Sequence, residues 1–143
     1  MMKKRRAVIL FLFLVFAAWA VAHPVLGQEK KNPENPGPEL TRAVMCESIE
    51  ALEPHNTAVA FSIGTGKISC FTSFEGFKSA THAWHRWYRR DALVTAKRLI
   101  LKPPSWSTYS SIQLREADKG PWRVEITTAD NRILKTLRFS VTD

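Results

Sequence analysis

Glycine and cysteine are both scarce in this chain of 143 residues, six of the first and two of the second, and only 24% of residues are charged against 45% hydrophobic. Six glycines without a period exclude a collagen-like fibre, and so apolar a composition excludes an intrinsically disordered chain. Neither cysteine belongs to a C-x-x-C pair, which argues against a redox-active dithiol. No internal repeat, no G-x-S-x-G turn and no convincing long helix are present. The stretch Gly64-Thr65-Gly66-Lys67 lacks the remaining glycines and the following helix of a phosphate-binding loop, so a turn explains it better. The length fits one domain.

What is present begins with an address. Residues 1–6 read MMKKRR, and residues 7–22 form an apolar run of 16 without a charge or a proline. That layout is a secretory signal, expected to span 1–27, with cleavage after Ala22 or after Gly27. An uncleaved membrane anchor is the alternative, since the run approaches the roughly 17 to 25 residues of a spanning helix. Lys3, Lys4, Arg5 and Arg6 supply four of the formal net charge of +8, so the exported part carries +4. Nucleic acid is therefore not an expected partner. The remaining cations concentrate at Arg86, Arg89, Arg90, Lys97, Arg98 and Lys102, as one patch or as solvent-facing strand positions.

Residues 28–39 (QEKKNPENPGPE) hold three prolines and no large apolar residue, as an extended linker does. The folded domain is expected over 40–143. Two-residue alternation dominates it: Trp122, Val124 and Ile126 alternate with Arg123 and Glu125, and Leu137, Phe139 and Val141 with Arg138 and Ser140. With Ala129-Asp130-Asn131-Arg132 between them, these read as a hairpin. A second hairpin is expected from 58–63 and 67–74, and further strands at 42–49, 83–89, 93–101 and 106–112. A helix over 78–96 competes, but that stretch lacks a clear cap and its aromatic residues suit a pleated surface. About seven short strands predict an all-β, antiparallel, immunoglobulin-like β-sandwich.

In an oxidising compartment Cys46 and Cys70 are expected to pair as a disulfide, closing a loop that the chain-entropy account values at roughly 3 kcal/mol. Two separate buried thiols are the alternative.

A set of local motifs points to a family. Cys46, Gly66-Lys67-Ile68, Cys70-Phe71-Thr72, His85-Arg86-Trp87-Tyr88, Trp106-Ser107-Thr108-Tyr109-Ser110 and Gly120-Pro121-Trp122-Arg123-Val124 occur in that order. Through them, residues 42–143 resemble a bacterial family catalogued as domain of unknown function 2914. Ser107 and Ile112 depart from that pattern, standing where it carries Arg and Lys. The resemblance implies a compact β domain of exported or envelope proteins and brings no established activity.

The residues themselves favour recognition over catalysis. His82 and His85, three apart on a strand, point to opposite faces with no carboxylate nearby, so no metal site is expected, and no cofactor. His85 and Ser110 can meet only through tertiary contact, and no pair of carboxylates such as Glu47, Glu75 or Glu125 is favoured by spacing. The expected ligand-binding residues are His85, Arg86, Trp87, Trp106 and Tyr109, with Trp84 and Tyr88 as further candidates, because flat rings with polar edges and directed guanidinium donors suit glycans, peptides and protein surfaces. Against this stands a core role for His85 with Trp87, and for Trp122. The expected function is a noncatalytic binding or assembly module of the bacterial envelope, periplasmic or secreted, or else anchored at the inner membrane facing the periplasm. A hydrolase-like or metal-dependent envelope enzyme is the alternative, and an exposed strand edge offers a third route to a partner.

Overall fold

Residues 36–143 are described by the structure, a computed structural model. The expected leader and all but the end of the linker fall outside these residues. Nine strands form in order: β1 (Glu39–Glu50), β2 (Glu53–Thr57), β3 (Ala60–Ser62), β4 (Lys67–Glu75), β5 (Thr81–Arg89), β6 (Ala92–Leu101), β7 (Ser105–Gln113), β8 (Gly120–Thr128) and β9 (Ile133–Thr142). Among the described residues the only helical turns are two of 3-10 type, Ile63–Thr65 and Glu116–Asp118. The strands make two sheets, ordered β2-β1-β4-β7 and β3-β9-β8-β5-β6. Every pairing is antiparallel except β3 with β9.

Period-two burial produces this arrangement. On β8, Trp122, Val124 and Ile126 are buried while Arg123 and Glu125 stand on the other side of the pleat, and β9 buries Phe139 and Val141 in the same way. The β8–β9 hairpin forms as expected, closed by the Thr128 amide donating to the Arg132 carbonyl at 2.9 Å, with Asn131 taking the left-handed conformation (φ 67°) that asparagine tolerates. Residues 78–96 form no helix; they make β5 and the start of β6, joined by the two-residue turn Arg90-Asp91.

Two features differ from the sequence expectation. The segments around Gly64-Thr65-Gly66 do not pair with each other: β3 joins β9 in one sheet and β4 joins β1 and β7 in the other. The 3-10 turn, capped by Gly66 at φ 74°, carries the chain from sheet to sheet. Pro54 and His55 lie in β2, a strand the alternation did not mark, which folds back on β1 through Ala51 and Leu52, both at positive φ. β2 lies outside the expected strands, and the count is nine rather than about seven.

The core is shared by both sheets. Phe139 is its hub, edge-on to Phe61 (6.0 Å between ring centroids) and to Trp87 (6.2 Å), and stacked on Trp122 at 6.1 Å. Offset and edge-on ring pairs of this kind add roughly 0.5 to 1.5 kcal/mol beyond the area they bury. Trp122 sits in the core as its inward face demands, and its indole N–H donates to the Asp118 carbonyl at 2.7 Å.

The expected Cys46–Cys70 disulfide is absent; both thiols are free and buried. Register explains it. Cys46 stands opposite Ser69 and Met45 opposite Cys70, residues opposite each other share a face, and consecutive residues alternate. The two sulfurs therefore lie on opposite sides of one sheet. Cys70 packs in the core, whereas the Cys46 thiol donates to the Ser69 carbonyl at 3.6 Å. Burial pushes the Cys46 thiol up to about 11, with Arg42 opposing, and pushes Cys70 higher still. Neither is a thiolate at neutral pH.

Candidate functional site

Two polar constellations stand out, one between the sheets and one on the outside. The inner one centres on His85, fully buried on β5, whose ring reaches across to the opposite sheet. Its Nδ1 lies 2.8 Å from Ser110 Oγ on β7, and its Nε2 lies 3.1 Å from Thr72 Oγ1 on β4. Trp87 Nε1–H donates to the same Ser110 Oγ at 3.0 Å, and Thr72 Oγ1 is 3.5 Å from the Thr108 carbonyl.

Counting donors assigns the direction of this chain. The indole can only donate, so Ser110 accepts from Trp87 and gives its own proton to Nδ1. The imidazole then carries its proton on Nε2 and donates to Thr72, whose hydroxyl donates to the Thr108 carbonyl. Every group has a partner only when the ring is neutral. A second proton on Nδ1 would face the Ser110 hydroxyl proton, and burial pushes the ring down to about 3.

His85 and Ser110 thus do meet by tertiary contact, as a nucleophile and base would. The chemistry does not follow from the distance. Ser110 and His85 are both buried, no carboxylate orients the ring, and both ring nitrogens and the serine hydroxyl are engaged in the core. The pair joins the two sheets.

The five residues expected to bind a ligand lie in different surroundings. His85 and Trp87 are core residues with no exposed surface. Trp106 is half-buried, stands opposite Phe74 on the core-facing side of β7 and packs against the rim of the core, with Lys102 Nζ 5.4 Å over its ring. Tyr109 is 45% exposed but on the outer face of the four-stranded sheet, away from Arg86. Of the five, Arg86 alone lies on the outer face of the five-stranded sheet.

That face gathers the residues named as further candidates. His82, Trp84, Arg86 and Tyr88 follow one another along the outer side of β5, between the buried Ala83, His85 and Trp87. Arg98 of β6 stands opposite Trp84, Glu125 of β8 opposite Arg86, and Arg123 opposite Tyr88. Rings and guanidiniums interleave. His82 meets Trp84 edge-on at 6.0 Å, Arg86 lies 5.9 Å over Trp84, and Arg123 lies 4.1 Å over Tyr88. Arg98 Nη2 donates to His82 Nδ1 at 3.2 Å, and the imidazole is held below its ordinary value by burial and by that guanidinium. Arg86 Nη2 donates to Asn131 Oδ1 at 2.5 Å, tying the face to the β8–β9 turn.

Arg123 and Arg138 were not singled out by the sequence; their importance comes from register, which places them opposite each other on β8 and β9. Lys97 stands opposite His85, on the inner side of β6, so the cations expected as one patch divide between the two sides of the sheet. Among the described residues no group of three His, Cys, Asp or Glu converges as a metal site.

The resemblance read from the motifs holds over residues 80–141, which match the family described as "Protein of unknown function (DUF2914)". That span covers β5 to β9 almost entirely, and with them all the outer-face residues above. No curated protein sequence matches the chain. Among solved structures, the chain is similar to a selenomethionine-labelled β-glucosidase from Kluyveromyces marxianus (16% identity, TM-score 0.38, covering 54% of this chain and 13% of that one). It is also similar to a β-glucosidase from Listeria innocua in complex with glucose (8% identity, TM-score 0.43, covering 76% and 16%). The chain spans less than a fifth of either enzyme's length.

Proposed function

We propose that the folded domain is a noncatalytic binding or assembly module of the bacterial envelope, and that its contact surface is the outer face of β5, β6, β8 and β9. The observation that carries this reading is the ladder of Trp84, Arg86, Tyr88, Arg98 and Arg123, whose rings and guanidiniums support one another. Side chains so held lose little freedom when a partner docks, and Trp, Tyr and Arg dominate contact energies at interfaces. The basic leader with its apolar run supports a periplasmic or secreted location, or an inner-membrane anchor where the leader remains.

The pairing order supports an immunoglobulin-like assignment. Read with β1 as strand A, β4 as B, β5 as C, β6 as C′ and β7 to β9 as E, F and G, the sheets become A-B-E and G-F-C-C′. The ladder then lies on the C′-C-F-G face.

The test is titration of the purified protein with envelope glycans and peptides, beside Trp84→Ala and Tyr109→Ala. Trp84→Ala is expected to weaken the strongest ligand by roughly tenfold or more while the melting temperature holds, and Tyr109→Ala to leave binding unchanged. The opposite ranking would move the contact surface to the other sheet.

A further inference from the structure

At one end of this face the strands build a small basic hollow. Tyr88, Arg90, Asp91, Trp122, Arg123 and Arg138 line a cavity of about 120 Å³. Arg123 is fixed within it. Its side chain is only 18% exposed, and its guanidinium rests on the Tyr88 ring, donates through Nε to Glu125 Oε1 at 3.1 Å and pairs through Nη1 with the Asp91 carboxylate. Arg138 stands directly opposite it across the β8–β9 ladder and is exposed, with no ion pair among the described residues. Like charges in that relation repel and weaken the strand pair. Arg90 adds a third guanidinium: a Cβ at Gly120 would come within 3.3 Å of it, so the glycine, at φ 115°, leaves the room Arg90 occupies.

The turn that brings these groups together is itself unfavourable. Arg90 and Asp91 both adopt positive φ (45° and 66°), in a two-residue turn where Asn-Gly is the easy choice. Three guanidiniums face two carboxylates, Asp91 and Glu125, which leaves one positive charge unmatched. Asp91 is 89% exposed and, among the described residues, its one ion pair is with Arg123, so it lines the hollow as a displaceable carboxylate.

We infer that this hollow is a binding site for a single carboxylate group, received between Arg123 and Arg138 and displacing Asp91 from Arg123. The inference rests on the reading of the surrounding face as a contact surface, and names the chemical group taken there. A planar monoanion matches both the fork geometry of guanidinium and the one unmatched charge. It also relieves the repulsion across the β8–β9 pair.

The experiment is an NMR titration of the purified protein at constant ionic strength, following the arginine Nε–H and tryptophan indole resonances. Probes are N-acetylglycine for a peptide terminus, glucuronate for an acidic sugar, N-acetylglycinamide as the uncharged counterpart, and inorganic phosphate. Saturable shifts of the Arg123 Nε–H with N-acetylglycine or glucuronate are expected, the tighter of the two naming the source of the carboxylate. The amide should give none, and phosphate should bind more weakly. Arg138→Gln should weaken the carboxylate at least tenfold with resonance dispersion retained, whereas Asp91→Asn, which keeps the turn, should tighten it several-fold because the internal competitor is gone. Unsaturating shifts, equal response to the amide, tighter binding of phosphate, or an Arg138→Gln titration matching the parent would each overturn the site. Trp84→Ala separates this from the wider reading. Carboxylate saturation with partner binding insensitive to Trp84→Ala sinks the contact face alone, and the reverse pattern sinks the hollow alone.

Discussion

Acid should unfold this domain through one ring. His85 is neutral when folded, its proton affinity pushed down to about 3 by burial, whereas in the unfolded chain an imidazole titrates near 6.5. Between those values the unfolded chain binds a proton that the folded chain refuses, so stability is complete above about pH 6.5 and declines as pH falls toward 3. Linkage sets the size of the loss at about 0.8 kcal/mol by pH 6 and about 2 kcal/mol by pH 5. Above pH 5 the folded ring stays neutral throughout, so this figure depends on the unfolded value alone. Against a total of roughly 5 to 15 kcal/mol for a domain of this kind, 2 kcal/mol is large. The assay is urea unfolding followed by tryptophan fluorescence at pH 7, 6, 5.5 and 5, with the parent beside His85→Gln. Carboxylates contribute mainly below this window. His82, also lowered, contributes with the same sign in both proteins and cancels in the comparison. The variant is less stable at pH 7, having lost the ring, but between pH 7 and 5 its stability should fall by about 2 kcal/mol less than the parent's. Parallel slopes would refute the buried neutral ring and the hydrogen-bond direction assigned to it.

Three other outcomes follow from the packing. Phe139→Ala removes the ring on which Phe61, Trp87 and Trp122 converge and should cost about 3 to 5 kcal/mol by urea unfolding; a loss under about 1 kcal/mol would deny Phe139 its place as hub. Thr127 is buried on β8 and its hydroxyl has no hydrogen-bond partner among the described residues, so Thr127→Val should raise stability by about 1 kcal/mol, visible as a higher melting temperature; a drop would mean that the hydroxyl is satisfied. Alkylation after unfolding without reductant should label both Cys46 and Cys70, and protection of the pair would contradict the register of β1 on β4.

The parts of this molecule legible in the sequence are those governed by neighbours along the chain. Trp122, Val124 and Ile126 announce their strand because alternation is local, and Asn131 announces its turn because its conformational tolerance is its own property. Register is another matter. Whether Cys46 can reach Cys70 turns on a one-residue offset between β1 and β4 that no spacing reveals, and the meeting of Arg123 with Arg138 depends on how β8 pairs with β9. The run His82 to Tyr88 is dense in rings and charge, but composition alone does not separate its two faces. Period two sends His85 and Trp87 inward and Trp84, Arg86 and Tyr88 outward, and only knowing which side meets the second sheet separates packing from contact. The same limit concealed the crossing at Gly66, since a glycine-bearing turn between two apolar stretches reads alike whether the chain reverses within a sheet or changes sheets.

The parallel pairing of β3 with β9 fixes when the domain can be finished. Ala60 waits for Ser140, and the Thr142 hydroxyl reaches the Phe61 carbonyl at 3.5 Å across 81 positions. A chain emerging amino end first therefore holds β3 without its sheet neighbour until β9 appears. Phe139, where three other rings come to rest, arrives with it. Closure of the five-stranded sheet therefore waits for β9, whereas the sheet of β1, β2, β4 and β7 does not depend on it.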